Sequence, residues 1–312
     1  MSRRKIVLDT PASTSRFIHT GCTLLNLILG GGWPLGRISN VVGDKSTGKT
    51  LLAIEASANF ALQFPEGKIY YHEAEAAFDK DYAATLGMPI EAVTFIEDVK
   101  GDTSKASTVE GLIENIQNIV AEHSENENVG LYIVDSLDAL SDKSEMERDA
   151  DKGSYGAEKA KKMSEFFRKV AKSVESSKIH LMIISQMRDK IGVMFGEKHS
   201  RSGGKALDYY ASQILWLAEK AKIKKTISKV ERVIGLEVVA NCKKNKISMP
   251  FRTCLFPIIF GYGIEDDVAS RLWLKSIGKE ADTAMPKEEV RELVINLWKE
   301  IEEKFSPKES KY

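Results

Sequence analysis

Gly43-Asp44-Lys45-Ser46-Thr47-Gly48-Lys49-Thr50 carries more structural information than any other segment of the chain. It is a complete G-x4-G-K-[ST] phosphate loop, and both flanks suit one. A β-branched run, Ile38 to Val42, leads into it, and a helical pattern from Thr50 to Gln63 leaves it. Between a strand and a helix, successive backbone N–H groups and the helix N-terminus converge on phosphate oxygens. Gly43 and Gly48 permit the tight wrap, Asp44, Lys45, Ser46 and Thr47 line it, Lys49 reaches the β- and γ-phosphates, and the Thr50 hydroxyl is a ligand for Mg²⁺.

Outward from the loop, short apolar runs alternate with longer amphipathic segments. Strands are predicted at Ile38 to Val42, Lys68 to His72, Leu131 to Val134, Leu181 to Ile184, Ile214 to Leu217 and Leu236 to Ala240. Helices are predicted at Thr50 to Gln63, Asp81 to Thr85, Thr108 to His123 and Gly156 to Ser177. Strands alternating with crossover helices imply an α/β fold with a mostly parallel, twisted sheet flanked by helices. In the third helix Val109, Leu112, Ile113, Ile116, Ile119 and Val120 recur at three- and four-residue steps, which makes one stripe to lay on the sheet.

Three strand ends carry polar groups that complete a phosphoryl-transfer site. Leu131 to Val134 ends in Asp135, placed to hold the metal beside Thr50. Lys68 to His72 runs into Glu73-Ala74-Glu75, and either carboxylate suits activation of a water; spacing alone does not choose between them. Leu181 to Ile184 ends in Ser185-Gln186, an amide at the same edge that can sense a γ-phosphate.

Composition narrows the setting. The 312 residues hold 45 Lys plus Arg against 45 Asp plus Glu, and 43% are hydrophobic, an ordinary globular balance that excludes a uniformly basic coat. Apolar runs are only a few residues long, far from the roughly 20 that span a bilayer, and the first residues lack a signal-peptide core. Three cysteines, Cys22, Cys242 and Cys254, have no paired spacing; with the rest this predicts a reducing, cytoplasmic setting and no membrane partner. After Gly263 the pattern shifts to short helical pieces, with Val290, Leu293, Val294, Leu297 and Ile301 on one face of a last helix. The predicted organisation is a short arm over 1–20, a core over 21–263 and a small helical module over 264–312.

One segment departs from the neutral balance. From Arg188 to Lys205 there are five basic and two acidic residues with four glycines, which suits a loop gripping a phosphate backbone; an ordinary active-site lid is the alternative. Within it, Lys190-Ile191-Gly192-Val193-Met194-Phe195-Gly196, followed by Gly203-Gly204-Lys205-Ala206-Leu207-Asp208-Tyr209-Tyr210-Ala211-Ser212, resembles the second DNA-binding loop of the bacterial RecA recombinase family and the helix after it. With the phosphate loop, Glu75 and Asp135, the resemblance covers roughly residues 17–264.

What the resemblance implies goes beyond spacing. It makes Glu75 the catalytic glutamate and Gln186 the γ-phosphate sensor, puts Asp79 and Tyr82 beside the adenine, and makes Lys244 and Lys246 the pair that reaches a neighbouring subunit's ATP. Arg188, Lys190, Ile191, Gly192, Lys198, Arg201, Gly203, Gly204 and Lys205 would face DNA. Tyr155 and Ile191 fall at base-wedging positions, and Lys161 and Arg168 near backbone-contacting ones. The expected activity is that of a DNA-dependent ATPase, with ATP and Mg²⁺, that forms helical filaments on single-stranded DNA and exchanges strands with a homologous duplex, aided by single-strand-binding and mediator proteins. Lys5 to Asp9 would be the subunit-docking strand, with no room for a helix before it, and the end from Ser306 to Tyr312 lacks a strongly acidic tail; both departures suggest a trimmed, phage-encoded member. A hexameric helicase of the same core and a non-catalytic recombination accessory are the rival readings.

Overall fold

The computed structural model describes residues 16–97, 106–126, 128–141, 156–189, 199–201 and 204–305. Among them, strands β3 (Ile38–Gly43), β4 (Lys68–Glu73), β5 (Val93–Ile96), β6 (Gly130–Asp135), β7 (Ile179–Asp189) and β9 (Gln213–Ile227) form the parallel body of one sheet in the order β5-β4-β6-β7-β3-β9. β10 (Val230–Asn245), β11 (Thr253–Ile259) and β12 (Gly263–Ile264) extend it with antiparallel pairing, and β8 (His199–Arg201) pairs antiparallel with the end of β7. β1 (Phe17–Ile18) and β2 (Trp33–Pro34) form a separate small ribbon.

Side chains alternate across the parallel strands, and each face buries its own cluster. Val41, Tyr71, Leu131, Ile133, Met182 and Ile184 face the helices α1 (Thr23–Leu29) and α2 (Lys49–Gln63). Val42, Tyr70, Tyr132, Val134, Leu181 and Ile183 face α4 (Val109–Asn126) and α5 (Gly156–Ser176). A strand covered on both sides reads as a continuous apolar run, the reason these strands stood out in the sequence. The α4 stripe is buried as predicted except for half-buried Ile113, and the Thr108 hydroxyl accepts from the Gly111 N–H at 3.1 Å, so the helix begins one residue later than the periodicity suggested.

Two features differ from the sequence reading. The two predicted strands Ile214 to Leu217 and Leu236 to Ala240 are only the buried parts of a long hairpin, β9–β10, that runs out into solvent. The turn residues Ser228 and Lys229 both take positive φ, of 50° and 67°, the backbone of a tight two-residue hairpin turn. The sheet also gains an antiparallel third that hydrophobic periodicity, blind to strand direction, does not reveal. Helices α3 (Lys80–Thr85) and α6 (Gly204–Tyr210) lie between strands, as expected for crossover segments.

After the sheet come α7 (Asp266–Ser276) and α8 (Lys287–Phe305). Their Ala269, Leu274, Val290 and Val294 join the same buried cluster as α1 and α2. Asp266 fixes the joint: it accepts from the Thr23 N–H at 2.6 Å and hydroxyl at 2.9 Å, and from Arg291 at 3.2 Å. No helix among the described residues is long and apolar enough to cross a membrane.

Candidate active site

Strand register brings the predicted residues to one level. Gly43 is opposite Gln186 on β7, and Glu73 is opposite Asp135 on β6, so four strands deliver their functional groups to one edge of the sheet. Loops beyond the carboxyl ends of parallel strands are where such folds bind ligands.

The phosphate loop has the strain its sequence anticipates. Gly48 sits at φ 89° and Ser46 at φ 60°. A Cβ on Gly43 would lie 2.5 Å from Thr47 Oγ1 and 3.0 Å from the Leu217 carbonyl, so no larger residue fits there. Asp44, Lys45 and Ser46 are exposed at the mouth, while Thr47 is buried and donates to the Asp44 carbonyl at 2.9 Å. Lys49 is buried and donates to the same carbonyl at 2.6 Å, which folds its ammonium over the loop. Burial pulls the Lys49 ammonium below its usual range, and the neighbouring Asp135 and Glu75 carboxylates act in the opposite sense.

Thr50 donates to Asp135 Oδ2 at 2.8 Å, so the hydroxyl and the carboxylate of the predicted metal pair meet across α2 and β6. Tyr71 donates to the same oxygen at 2.7 Å. Burial raises the Asp135 carboxyl above its usual range, opposed by these two hydrogen bonds. Among the described residues no group of three or more His, Cys, Asp or Glu side chains is placed to hold a metal. One hydroxyl and one carboxylate are nonetheless a suitable protein share for magnesium, which keeps waters and phosphate oxygens as its remaining ligands.

The two glutamates differ in what each carboxylate does. Glu73 Oε1 accepts from the N–H groups of Glu75 and Ala77, at 3.1 and 3.2 Å, and so shapes the turn after β4. Glu75 is exposed at the mouth, where its Oε1 accepts from the Gln186 side-chain amide at 2.8 Å and from the Ser136 hydroxyl. Gln186 is held a second way, its backbone N–H donating to Asp138 Oδ2 at 2.6 Å.

Asp79 caps α3 by accepting from the Tyr82 N–H at 2.9 Å, and Tyr82 is 45% exposed, available to a planar ligand. The Tyr82 hydroxyl accepts from the Gly261 N–H at 3.4 Å, which brings the turn after β11 alongside with its exposed Phe260 and Tyr262. Sequence reasoning missed these two aromatics. The Tyr82–Gly261 contact that places them spans 179 residues, and only the pattern Phe260-Gly261-Tyr262 hinted at an exposed aromatic turn.

Lys244 and Lys246 lie apart from the phosphate loop's own groups. Lys244 Nζ donates to the carbonyls of Asp208 and, at 2.9 Å, Tyr209; Lys246 Nζ donates to the Tyr209 carbonyl at 3.1 Å. Both lysines therefore rest on the last turn of α6, the helix that follows the basic segment. Lys161 and Arg168 are exposed on one face of α5, where Glu165 pairs with Lys169 at 2.8 Å. Arg188 pairs with Ser200 in the β7–β8 register, Arg201 with Met187, and Gly204 and Lys205 open α6. Tyr155, Lys190, Ile191, Gly192, Lys198 and Gly203 lie outside the described residues, as do Lys5 to Asp9 and Ser306 to Tyr312.

The RecA N-terminal domain matches residues 6–265, which takes in every strand of the sheet and the whole of this site. The chain belongs to the RecA family. It is 34% identical over 247 residues to Protein RecA of Synechococcus sp. (strain CC9902), covering 79% of this chain and 61% of that protein. Against the RecA proteins of Bacteroides thetaiotaomicron and Trichodesmium erythraeum it is 35% and 34% identical, over 82% and 80% of this chain. The matches span 72% and 64% of those two RecA proteins, so the chain corresponds to between three-fifths and three-quarters of these relatives. RecA membership agrees with the α/β core and with the segment after Gln186 on which the resemblance first rested.

Proposed function

We propose that this chain is a DNA-dependent ATPase that assembles into helical filaments on single-stranded DNA and exchanges strands with a homologous duplex. The observation that carries this reading is the Glu75–Gln186 hydrogen bond, because it links the carboxylate at the phosphate mouth to the strand that leads directly into the basic segment. The curated relatives are RecA proteins.

In this reading Lys49 and the loop amides bind the ATP phosphates, and Thr50 and Asp135 hold magnesium, which offsets charge on phosphate oxygens when bound. Asp79, Tyr82, Phe260 and Tyr262 form the adenine slot. Glu75 orients the attacking water and accepts its proton. Gln186 turns its amide from Glu75 to the γ-phosphate, so the end of β7 and the segment from Arg188 to Lys205 respond to the nucleotide state. Binding energy that differs between ATP and ADP states is what such a switch requires. Lys244 and Lys246 leave the α6 carbonyls to reach the ATP of the next subunit, where cations stabilise the developing phosphoryl charge. Arg188, Lys190, Lys198, Arg201 and Lys205 contact phosphates, with Lys161 and Arg168 alongside, and Tyr155 and Ile191 meet bases. Pairing between the strands supplies sequence recognition.

The test is ATP hydrolysis with and without single-stranded DNA for wild type and Glu75→Gln, with electron micrographs of each mixture. DNA-stimulated turnover that the variant loses by about 100-fold or more, with filaments retained, is the expected result. Closed rings, or turnover indifferent to DNA, would contradict it.

A further inference from the structure

Tyr71 is fully buried, yet its hydroxyl emerges at the metal side of the site. Its position follows from the register. Tyr71 on β4 is opposite Ile133 on β6, and Asp135 lies two residues further along the same face. Diagonal neighbours across paired strands are within reach of an aromatic side chain, and the Tyr71 hydroxyl donates to Asp135 Oδ2 at 2.7 Å. The other end of the contact is equally defined. The Tyr71 ring packs on Phe78 with centroids 4.4 Å apart and on Phe95 at 5.8 Å, and Lys80 Nζ covers Phe95 at 4.2 Å. Phe78 directly precedes Asp79, the cap of α3.

Two hydroxyls thus donate to one oxygen of a carboxylate that is only 7% exposed. They are not equivalent. Thr50 is exposed and is itself a cation ligand in the reading above, whereas Tyr71 is locked in the core and donates whatever Thr50 does. A buried carboxylate without fixed donors loses orientation, and partners of this kind set how well a ligand holds its metal.

We propose that Tyr71 is a positioning residue for magnesium binding, fixing Asp135 from the core side and tying it through Phe78 to the segment that carries Asp79 and Tyr82. This rests on the assignment of Asp135 to the metal.

The experiment uses the full chain without DNA and titrates magnesium while a fluorescent ATP analogue reports binding, for wild type, Tyr71→Phe, Asp135→Asn and the double variant. Tyr71→Phe keeps the ring and removes the hydroxyl. The half-saturating magnesium concentration is expected to rise about tenfold in it, with wild-type melting and unchanged analogue affinity at saturating magnesium. The double variant should be no worse than Asp135→Asn. A wild-type profile for Tyr71→Phe beside a shifted Asp135→Asn overturns the role of Tyr71 and leaves the metal assignment standing. A wild-type profile for Asp135→Asn overturns both. Weakened binding at every magnesium concentration in Tyr71→Phe would mark a purely structural role and also overturn it.

Discussion

The Gln186 side-chain amide donates to Glu75 Oε1 at 2.8 Å, across 111 residues of sequence. In the proposed function Glu75 activates the water and Gln186 opens the path to the DNA-facing segment. If those roles hold, this contact couples nucleotide state to DNA affinity.

Lys244 and Lys246 should act in trans. Lys244→Ala is expected to bind ATP normally but to lose DNA-stimulated turnover by about 1,000-fold, the lower range for a cation supplied by a neighbour. Mixing it with Lys49→Ala, which cannot hold ATP but keeps both lysines, should restore part of the turnover at mixed interfaces. Steady-state ATPase across mixing ratios checks this, and a strictly additive response would refute a role in trans.

The basic segment should dominate the salt dependence of binding. Each of Lys190→Ala, Lys198→Ala and Arg201→Ala is expected to lower the slope of log affinity against log salt by about 0.7 for single-stranded DNA. The loss should be similar for unrelated sequences, because phosphate contacts carry no base information. Fluorescence anisotropy at several salt concentrations measures both.

His180 should make the fold acid-sensitive. Its ring is completely buried, with Nδ1 donating to the Pro34 carbonyl at 2.7 Å and Nε2 without a partner among the described residues. Burial lowers its pKa to about 4, against the smaller raising effect of the Pro34 hydrogen bond. The folded form therefore holds the ring neutral while the unfolded chain takes up a proton near pH 6.5, so stability is full above that value and falls as pH drops toward 4. The loss amounts to roughly 3 kcal/mol at the acid end. Urea unfolding of wild type and His180→Gln between pH 4 and 7 should show a shallower pH dependence in the variant.

The last helix is tied down by a two-pronged ion pair. Arg252 donates Nε to Glu302 Oε1 at 2.8 Å and an NH2 group to Oε2 at 2.5 Å, with both side chains mostly covered. Glu302→Ala should cost about 1–3 kcal/mol and lower the melting temperature without changing ATP affinity. Calorimetry and nucleotide binding together check it.

Much of this was legible in the sequence because each functional group ends an apolar run: Gly43 after Ile38 to Val42, Asp135 after Leu131 to Val134, Gln186 after Leu181 to Ile184. Glu73 at the end of β4 and Glu75 beyond it were not separable by spacing, since their difference lies in whether a carboxylate turns back to its own backbone, as Glu73 does, or out to Gln186. Helix α1 escaped notice because Thr-Leu-Leu-Asn-Leu-Ile-Leu has almost no polar face, being buried along most of its length. β5 is four residues long and too brief for periodicity to register. The outer half of β9 alternates lysines with apolar residues on an exposed ribbon, where no core face distinguishes strand from loop. Asp138 and Tyr71, which fix Gln186 and Asp135, carry no motif at all; their roles exist only in the packed sheet.

Coupling through Gln186 is measured by the affinity for single-stranded DNA with a non-hydrolysable ATP analogue and with ADP, in wild type and Gln186→Ala. Wild type should bind DNA at least about tenfold more tightly with the analogue, a difference of roughly 1.4 kcal/mol, and Gln186→Ala should bind with nearly equal affinity in both states while still binding the analogue itself. If Gln186→Ala keeps the wild-type difference, nucleotide state is not coupled to DNA affinity through Gln186.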